Sequence, residues 1–477
     1  MRADKVSQGP AGNAGDPASK QLREFWAALG GAAGLPDACA FSGSGELISA
    51  FHVTDLAAAA IGAAGTAAAE LLQASTGSLP AVEVDRRMAS LWFGTSLRPI
   101  GWTMPPQWDP VAGNYRASDR WIRLHTNAPH HREAALAVLG CAGDAKSVAR
   151  AVSRWQAGAL EDAVVARGGC AAVMYSRQEW AAHPQGRAVA SEPLLHVHTE
   201  SRVATRGWQP SRDRPLRGIR VLDLTRILAG PVATRFLAGL GAEVLRIDPY
   251  GWEEPGTVPE VVLGKRCARL NLKDAADLDT LRQLLRRADI LVHGYRSDAL
   301  ARLGLDAAQR RELNPALIDV SLDAYGWSGA WRCRRGFDSL IQMSTGIAEA
   351  GMRAMHSDEP VSLPVQAIDH ATGYLMAAAA LRGLTIRTTQ GAGSEFRASL
   401  ARTAAVLQPR PEPVTEVVKL ATDTPGDCTR HVEQTSWGPA TRLLPPLEIE
   451  GAPLAWSYPA RALGAYEPEW LTSNEEL

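Results

Sequence analysis

The sequence contains few cysteines, few aromatic residues and no excess of charge of either sign. Its six cysteines are scattered over 477 residues without a C-x-x-C pair. A disulfide framework or a structural zinc site is therefore not expected, and we predict no metal site. Lysine and arginine total 50 against 51 aspartates and glutamates. This balance argues against a nucleic-acid-binding protein, because such proteins usually carry a basic excess.

Long apolar segments are also missing. A membrane-spanning helix needs roughly 20 apolar residues, and the nearest candidate, the Ala-rich stretch after Asp55, is interrupted by Gly62, Gly65 and Glu70. The first 20 residues are polar and rich in Gly and Pro, without the apolar core of a secretory signal. We therefore expect a cytoplasmic protein with no membrane partner, in which residues 1–20 are disordered.

Several common catalytic motifs are absent. The sequence has no Walker loop, no G-x-S-x-G and no H-E-x-x-H. The first β-α turn, LTRILAGP (224–231), lacks the glycines with which G-x-G-x-x-G approaches a pyrophosphate. An NAD-dependent enzyme is therefore disfavoured.

Short β-branched runs alternate with helical segments in the second half of the chain. The runs are IRVLDL (219–224), AEVLRID (242–248), ILVHGY (290–295) and LIDVSLD (317–323). This alternation predicts an α/β fold with a doubly wound parallel sheet over residues 218–407.

The remaining segments differ in composition and in predicted secondary structure. Residues 21–205 mix helices with short strands, which predicts a smaller α+β domain, and one helix is expected over 147–169. The Arg- and Pro-rich residues 206–217 are predicted to be a linker. Residues 408–477 are interpreted as a C-terminal return segment.

Two segments of the chain resemble each other. Residues 51–93 and 365–407 each contain an apolar lead, one aspartate, an Ala-rich helix and a glutamate that begins the next predicted helix. The two aspartates are Asp55 and Asp369. We interpret this pattern as an internal duplication.

Asp369 is the candidate reactive group. An aspartate at the start of a helix is often only a cap, but it can also be a nucleophile or base that the helical N–H groups keep ionised. Asp55 is interpreted as a vestigial cap.

Basic residues stand at predicted loop positions of the second half: Lys265, Arg302 and Arg335. Each alone is a surface charge, but together they could receive phosphate groups. His125, His130 and His131 cluster near a helix start and are interpreted as a solvated turn rather than a metal site.

Five motifs resemble, in order, those of the family III CoA-transferases, the CaiB/BaiF group. They are LRGIRVLDLTRILAGPVATRFLAGLGAEVLRIDP (216–249), GKRCARLNLK (264–273), ILVHGYRSDALARLGL (290–305), LNPALIDVSLDAYGWSGAWRCRRGFDSLIQMSTGI (313–347) and VQAIDHATGYLMAAAALRGL (365–384). The resemblance implies a Rossmann-like domain over 218–407, with Asp369 at the position of the family's reactive aspartate.

The order of segments departs from the family pattern. Residues 152–188 resemble the small-domain segment that normally follows the Rossmann-like domain, whereas here they precede it. We interpret the chain as a rearranged fusion of two partial copies, the first of which spans 21–205. Because family members form interlocked dimers, the resemblance implies a homodimer.

The resemblance implies transfer of CoA from an acyl-CoA thioester to a carboxylic acid through a mixed anhydride on Asp369. Coenzyme A would be a substrate, with no tightly bound cofactor. The implied CoA contacts are Ile227, Leu228, Ala229, Lys265, Gly294, Tyr295, Arg302 and Arg335. An acyl-CoA racemase or lyase is the weaker alternative, because Phe337 stands where racemases of the family carry a histidine base. An inactive CoA-binding protein is the third possibility.

Overall fold

A seven-stranded sheet forms the centre of the fold. The computed structural model describes residues 16–202, 207–296, 298–410 and 413–471. The strands lie in the spatial order β10 (Lys265–Arg269), β9 (Glu243–Asp248), β8 (Arg220–Leu224), β11 (Ile290–His293), β12 (Ile318–Asp323), β13 (Ala392–Ser399) and β7 (His196–Arg202). Neighbours from β10 to β13 are parallel, and β7 runs antiparallel to β13.

This strand order confirms the predicted Rossmann-like sheet. The chain leaves β8 for β9 and β10 on one side, then returns to β11 on the other side of β8. The helices between these strands are α9 (Ala229–Gly239), α10 (Val258–Val261), α11 (Ala275–Arg287) and α12 (Ala307–Leu313). Because the winding reverses between β8 and β11, a crevice opens beyond the carboxyl ends of these two strands.

Two long Ala-rich helices, α2 (Val53–Thr76) and α15 (Ala367–Gln390), pack against each other, and α15 also packs on α9. A Cβ atom on Gly373 of α15 would collide with the carbonyl oxygen of Ala229. Glycine therefore lets the first turns of α15 lie directly on the start of α9. Among the described residues, α2 is the one helix long and apolar enough to cross a membrane, and its apolar stretch is wholly buried in this core.

The two helices share one local plan. Each has 24 residues with its aspartate in third position, and each ends at a glycine in the left-handed region, Gly77 or Gly391. A strand and a short helix follow each: β2 (Val82–Asp85) and α3 (Arg86–Trp92) after α2, β13 and α16 (Leu400–Val406) after α15. The strand that precedes α2, β1 (Cys39–Ser42), pairs in parallel with β2, as β12 pairs with β13.

Two details of the predicted repeat are wrong. His52 rather than Asp55 occupies the N-cap of α2, so that Asp55 lies in the first turn. Glu83 and Glu395 lie on β2 and β13, not at helix starts.

A smaller α+β unit precedes the large sheet, as predicted. Its antiparallel strands are β4 (Gly113–Arg116), β5 (Trp121–Leu124) and β6 (Ala171–Val173), and its helices are α4 (Pro129–Leu139), α5 (Ala145–Val152) and α6 (Ala157–Ala166). These elements surround an apolar core of their own. The single helix predicted over 147–169 is wrong, because the chain becomes extended at Gln156 and the Asp119 carboxylate accepts the N–H of Ala157 at the start of α6.

The remaining elements surround these units. They are α1 (Pro17–Ala28), α7 (Arg177–Ala182), α8 (Pro184–Ala190), α13 (Asp338–Ser344), α14 (Ile347–Ala354), β3 (Leu97–Pro99), β14 (Glu433–Thr435), β15 (Gly438–Arg442) and β16 (Leu447–Ile449).

The predicted segments interleave. Strand β7, from the N-terminal segment, extends the large sheet, while β15 and β16 of the C-terminal segment pair with β3 and β2. One apolar core contains buried residues from Ala18 to Leu463. Residues 17–20, predicted to be disordered, form the first turn of α1, which Asp16 caps. Residues 1–15 and 203–206 fall outside the described residues.

Substitution of Gly373 tests the close approach of α15 to α9. We expect Gly373→Ala to lower the free energy of unfolding by about 1–3 kcal/mol, because the added methyl must displace backbone. The matched control is Gly158→Ala on α6, where a Cβ meets nothing within 4 Å. That control should leave stability unchanged or raise it by up to about 1 kcal/mol. Urea unfolding measures both, and equal effects would contradict the packing argument.

Candidate functional site

Asp369 lies where two cavities meet. The first, which we call the crevice cavity, has a volume of about 350 Å³. The second, which we call the inner cavity, has a volume of about 600 Å³. Asp369, Ile227, Leu228 and Phe337 line both. A group bound in either cavity can therefore approach the Asp369 carboxylate.

The crevice cavity occupies the position that the sheet order predicts for a ligand. The loops after β8 (225–230) and β11 (294–296) form its walls. Most of the residues predicted from the sequence line it: Ile227, Leu228, Ala229, Gly294, Tyr295, Arg335 and Asp369. Ile227 has a φ of 64°, which is strained for a β-branched residue. The Glu254 carboxylate holds this turn by accepting the Ile227 N–H at 2.8 Å.

Arginines supply the charge of the crevice cavity. Five line it: Arg226, Arg296, Arg332, Arg334 and Arg335. Only the last of these was predicted from the sequence, although Arg226 stands in the first β-α turn, where a ligand-facing cation could have been sought. Arg334 also pairs with Glu161 at 2.9 Å, and Arg226 lies 3.5 Å from Asp248. The five guanidinium groups exceed these two carboxylates in number, and the set suits a ligand with several phosphates.

Two aromatic rings flank one of these cations. The Cζ atom of Arg226 lies 5.6 Å from the ring centroids of both Trp252 and Tyr295, and the guanidinium also donates to the Tyr295 hydroxyl at 3.1 Å. This cluster gives the crevice cavity a planar wall of two aromatic rings and one guanidinium group.

Two predicted CoA contacts lie elsewhere. Lys265 is on β10 rather than in a loop; it is fully buried, and its Nζ donates to Asp223 at 3.0 Å and to the Pro231 carbonyl at 2.8 Å. Arg302 is in a short 3-10 turn, exposed and paired with Asp298. Neither lines either cavity. Their placement at the site is wrong because a motif position does not reveal which way a side chain points.

The Asp369 carboxylate is buried without a compensating partner. The side chain is 7% exposed, and none of the described residues forms an ion pair or hydrogen bond with its carboxylate. Burial raises the pKa of Asp369 well above its usual value, and the nearby Asp338 charge raises it further. The expectation that helical N–H groups keep Asp369 ionised is therefore wrong.

Asp338 receives those N–H groups instead. Its Oδ2 accepts the backbone N–H of Ile368 at 2.9 Å and that of Asp369 at 3.0 Å. Gln342 donates to the other oxygen. Asp338 thereby anchors the start of α15 and directs the Asp369 side chain towards the cavities. Burial raises the pKa of Asp338 to about 6.

Asp55, at the equivalent position of α2, has a different environment. Arg86 pairs with its carboxylate, and His52 Nδ1 lies 3.2 Å away. Among the described residues, Glu46, His52 and Asp55 form the one group with metal-ligand geometry, but Arg410 pairs with Glu46 as well. Arg86 and Arg410 thus supply the positive charge that these carboxylates need. Asp55 lines neither cavity.

The three histidines do not form a solvated turn. His125 and His131 are buried, and the His125 ring stacks on Phe337 with 3.9 Å between centroids. Burial lowers the pKa of both His125 and His131 to about 3, which leaves the imidazoles neutral. The smaller α+β unit thus supplies walls of both cavities, with His130 and His131 in one and His125 in the other.

The sheet order and the crevice place the chain among the doubly wound α/β proteins that bind ligands at the topological switch point. Residues 216–426 match the sequence profile described as CoA-transferase family III. This part of the chain is similar to that family.

Curated relatives carry CoA-transferase names. The chain is 30% identical to an acyl-CoA transferase of Gibberella moniliformis, over 62% of this chain and 58% of the relative. It is 32% identical to the probable fatty acyl-CoA transferase Rv3272 of Mycobacterium tuberculosis (41% and 52% covered) and 30% identical to a succinate–glutarate CoA-transferase of Agrobacterium fabrum (40% and 52% covered). The crystal structure of Rv3272 aligns at 30% identity with a TM-score of 0.37, covering 40% of this chain and 57% of that one. The chain spans about half the length of the curated relatives it matches.

The different environments of Asp369 and Asp55 predict that substitution of each by asparagine has opposite effects on stability. A carboxyl whose pKa is raised by folding favours the folded state below its unfolded pKa, and this contribution is lost as the pH rises through the folded pKa. Asp369→Asn should therefore raise Tm at pH 8 by roughly 1–3 °C, and this gain should shrink as the pH falls towards 5.

Asp55→Asn is the matched variant. It removes an ion-pair partner of Arg86 and should lower the free energy of unfolding by about 1–2 kcal/mol at pH 8. Thermal unfolding of both variants across this pH range makes the comparison. Equal destabilisation by the two substitutions would refute the assignment of Asp369 as the uncompensated carboxylate.

Proposed function

We propose that this protein is a CoA-transferase that moves CoA between an acyl-CoA thioester and a carboxylic acid through a mixed anhydride on Asp369. The observation that carries the proposal is the Asp369 carboxylate, which has no cationic partner among the described residues and lies between an arginine-lined cavity and a second cavity. The match of residues 216–426 to the CoA-transferase family III profile supports the same chemistry.

The crevice cavity suits coenzyme A. Its arginines can pair with the diphosphate and the 3′-phosphate, and the rings of Trp252 and Tyr295 offer surfaces for the adenine. With the nucleotide held at the sheet edge, the pantetheine arm would run along Ile227 and Leu228 and bring the thioester to Asp369. Binding energy from the remote nucleotide would thereby position the reacting carbon.

The reaction exchanges one acyl bond at a time. An ionised Asp369 oxygen attacks the thioester carbonyl, the C–S bond breaks, and CoA thiolate leaves a mixed anhydride. The thiolate then attacks the aspartyl carbonyl, which releases the first acid and leaves an aspartyl-CoA thioester. The acceptor carboxylate displaces the thiolate to form a second anhydride. Attack of the thiolate on the acceptor carbonyl yields the new acyl-CoA and restores Asp369.

Acylation should depend on pH because only the ionised carboxylate is nucleophilic. Since the pKa of Asp369 is raised, the single-turnover rate should increase with pH and reach half of its maximum above the usual carboxylate range, which centres near about 3.9. Asp338→Asn removes the neighbouring charge and should move this profile to lower pH. Rapid-quench measurement of the acylated enzyme provides the test. An unshifted profile in that variant would contradict the coupling of the two carboxyls.

Chemical trapping tests the proposed nucleophile. Incubation with an acyl-CoA and hydroxylamine should produce a hydroxamate at Asp369, located by peptide mass spectrometry. Asp369→Asn should bind CoA, form no adduct and transfer CoA at least about 10³-fold more slowly. Asp55→Asn is the control, and it should form the adduct at Asp369 as the wild type does.

Other outcomes of this experiment identify the alternatives. Binding of CoA without exchange of any acid would indicate an inactive CoA-binding protein. Exchange of the α-proton with deuterated water, without CoA transfer, would indicate a racemase or lyase. We do not expect such exchange, because Phe337 offers no base and because His125 and His370 are weak bases, with the pKa of each lowered to about 3 by burial.

Assembly and location remain predictions. One chain lines both cavities with residues from its N-terminal and C-terminal halves. The homodimer implied by the family resemblance is therefore not needed to complete these walls, and size-exclusion chromatography with light scattering would measure it. The cytoplasmic location is tested by cell fractionation.

A further inference from the structure

The inner cavity has apolar walls and few charged groups. Phe93, Met104, Trp108, Leu363 and Val365 contribute apolar surface around the path to Asp369. Besides Asp369, four lining residues carry or can carry charge: Glu260, His125, His370 and Arg123.

Three of these four residues need no charged ligand to compensate them. Glu260 is paired with Arg235 and with Arg442, the latter at 3.0 Å, so its charge is compensated. His125 and His370 are neutral, because burial lowers the pKa of each imidazole to about 3. Arg123 is therefore the lining residue whose charge is not compensated by an ion pair among the described residues.

Arg123 is a buried cation that forms no ion pair among the described residues, although the charge of Asp338 acts on it. The residue lies on β5 and is 9% exposed. Its Nη1 donates to Asn114 Oδ1 at 2.9 Å, and its Cζ lies 4.7 Å from the ring centroid of Trp108. Its Nε is buried without a hydrogen-bond partner, and no carboxylate of the described residues forms an ion pair with it.

Such an arrangement is costly unless a ligand completes it. Buried guanidinium groups are normally paired, because desolvation of an unpaired charge is unfavourable. Burial accordingly lowers the pKa of Arg123. The stacking on Trp108 and the bond to Asn114 hold the guanidinium in one orientation, which pre-organises its remaining donors for a planar anion.

We propose that the inner cavity binds dicarboxylic acids, with one carboxylate at Asp369 and the other paired with Arg123. This inference rests on the proposed CoA transfer, in which one acid must reach Asp369 from outside the CoA crevice. The aliphatic chain of the acid contacts the apolar wall, while the charge-assisted bond to Arg123 selects for a second carboxylate. Arg123 is thus a specificity-determining residue supplied by the smaller α+β unit.

Matched pairs of acids test this assignment. Succinate is compared with butyrate, and glutarate with valerate, as CoA acceptors at a saturating concentration of acyl-CoA donor. The wild type should prefer the dicarboxylate of each pair. Arg123→Gln should raise KM for the dicarboxylates by about 10–100-fold and leave KM for the monocarboxylates within about 2-fold.

Arg116→Gln is the control for loss of an arginine near an aromatic ring. Arg116 is on the neighbouring strand β4, its Cζ lies 5.7 Å from the Trp121 centroid, and it lines neither cavity. This variant should change neither KM. If Arg123→Gln does not fold, Arg123→Lys replaces it, because lysine retains the charge but loses the planar fork and should weaken dicarboxylates selectively.

Three results would overturn the proposal. The first is a wild-type preference for monocarboxylates. The second is an equal rise in KM for both acids of a pair in Arg123→Gln, and the third is no rise in KM for either acid in that variant. An equal rise would mean that Arg123 holds the reacting carboxylate, and no rise would mean that it is a structural residue stacked on Trp108.

Failure of the proposed function is recognised separately. Hydroxylamine trapping at Asp369 requires the acyl-CoA donor and no acceptor, so it tests CoA-transferase chemistry alone. Isothermal titration of glutarate and valerate into wild type and Arg123→Gln requires no turnover. Glutarate binding that Arg123→Gln loses would support the dicarboxylate site even without an adduct, and binding that it retains would refute the site.

Discussion

The capping of helix α15 by Asp338 is the interaction on which the rest of the site depends. Because Asp338 accepts the N–H groups of Ile368 and Asp369, the Asp369 carboxylate is left without donors and turns towards the two cavities. The same arrangement raises its pKa, since a second carboxyl lies nearby in a buried setting. The cap thus stabilises the helix and keeps the carboxylate available for reaction. At the equivalent position of α2, Arg86 and His52 compensate the Asp55 carboxylate.

Close backbone packing connects this cap to the crevice. Gly373 allows α15 to rest on the start of α9, and α9 begins directly after the turn whose Ile227 and Leu228 face Asp369. The reactive carboxylate and the ligand-binding turn are therefore positioned by one contact between two helices. The smaller α+β unit closes the site from the other side, where His125 stacks on Phe337 and Arg123 enters the inner cavity.

The order of the sequence motifs predicted most of the residues of the site. Asp369 and the residues of the turns after β8 and β11 could be predicted because parallel strands bring those loops to one edge of the sheet. Lys265 was misplaced because its pattern of basic and apolar residues is equally compatible with a loop and with a buried strand. Arg226 could have been sought from its place in the first β-α turn. The other crevice arginines and Arg123 were missed because single arginines carry no periodic signal. Only the fold distinguishes those that face a cavity from those in water.

The sequence by itself determined the doubly wound sheet, the smaller α+β unit and the repeated aspartate-headed helix, because these follow from local hydrophobic patterns and from motifs in order. Tertiary structure decided which aspartate is compensated, which cations meet at the crevice and how the N-terminal and C-terminal segments interleave. These properties depend on contacts between residues distant in the chain, such as Arg86 with Asp55 and Asp338 with the start of α15. A side chain's partner, rather than its type or its neighbours in sequence, sets its charge state and its role.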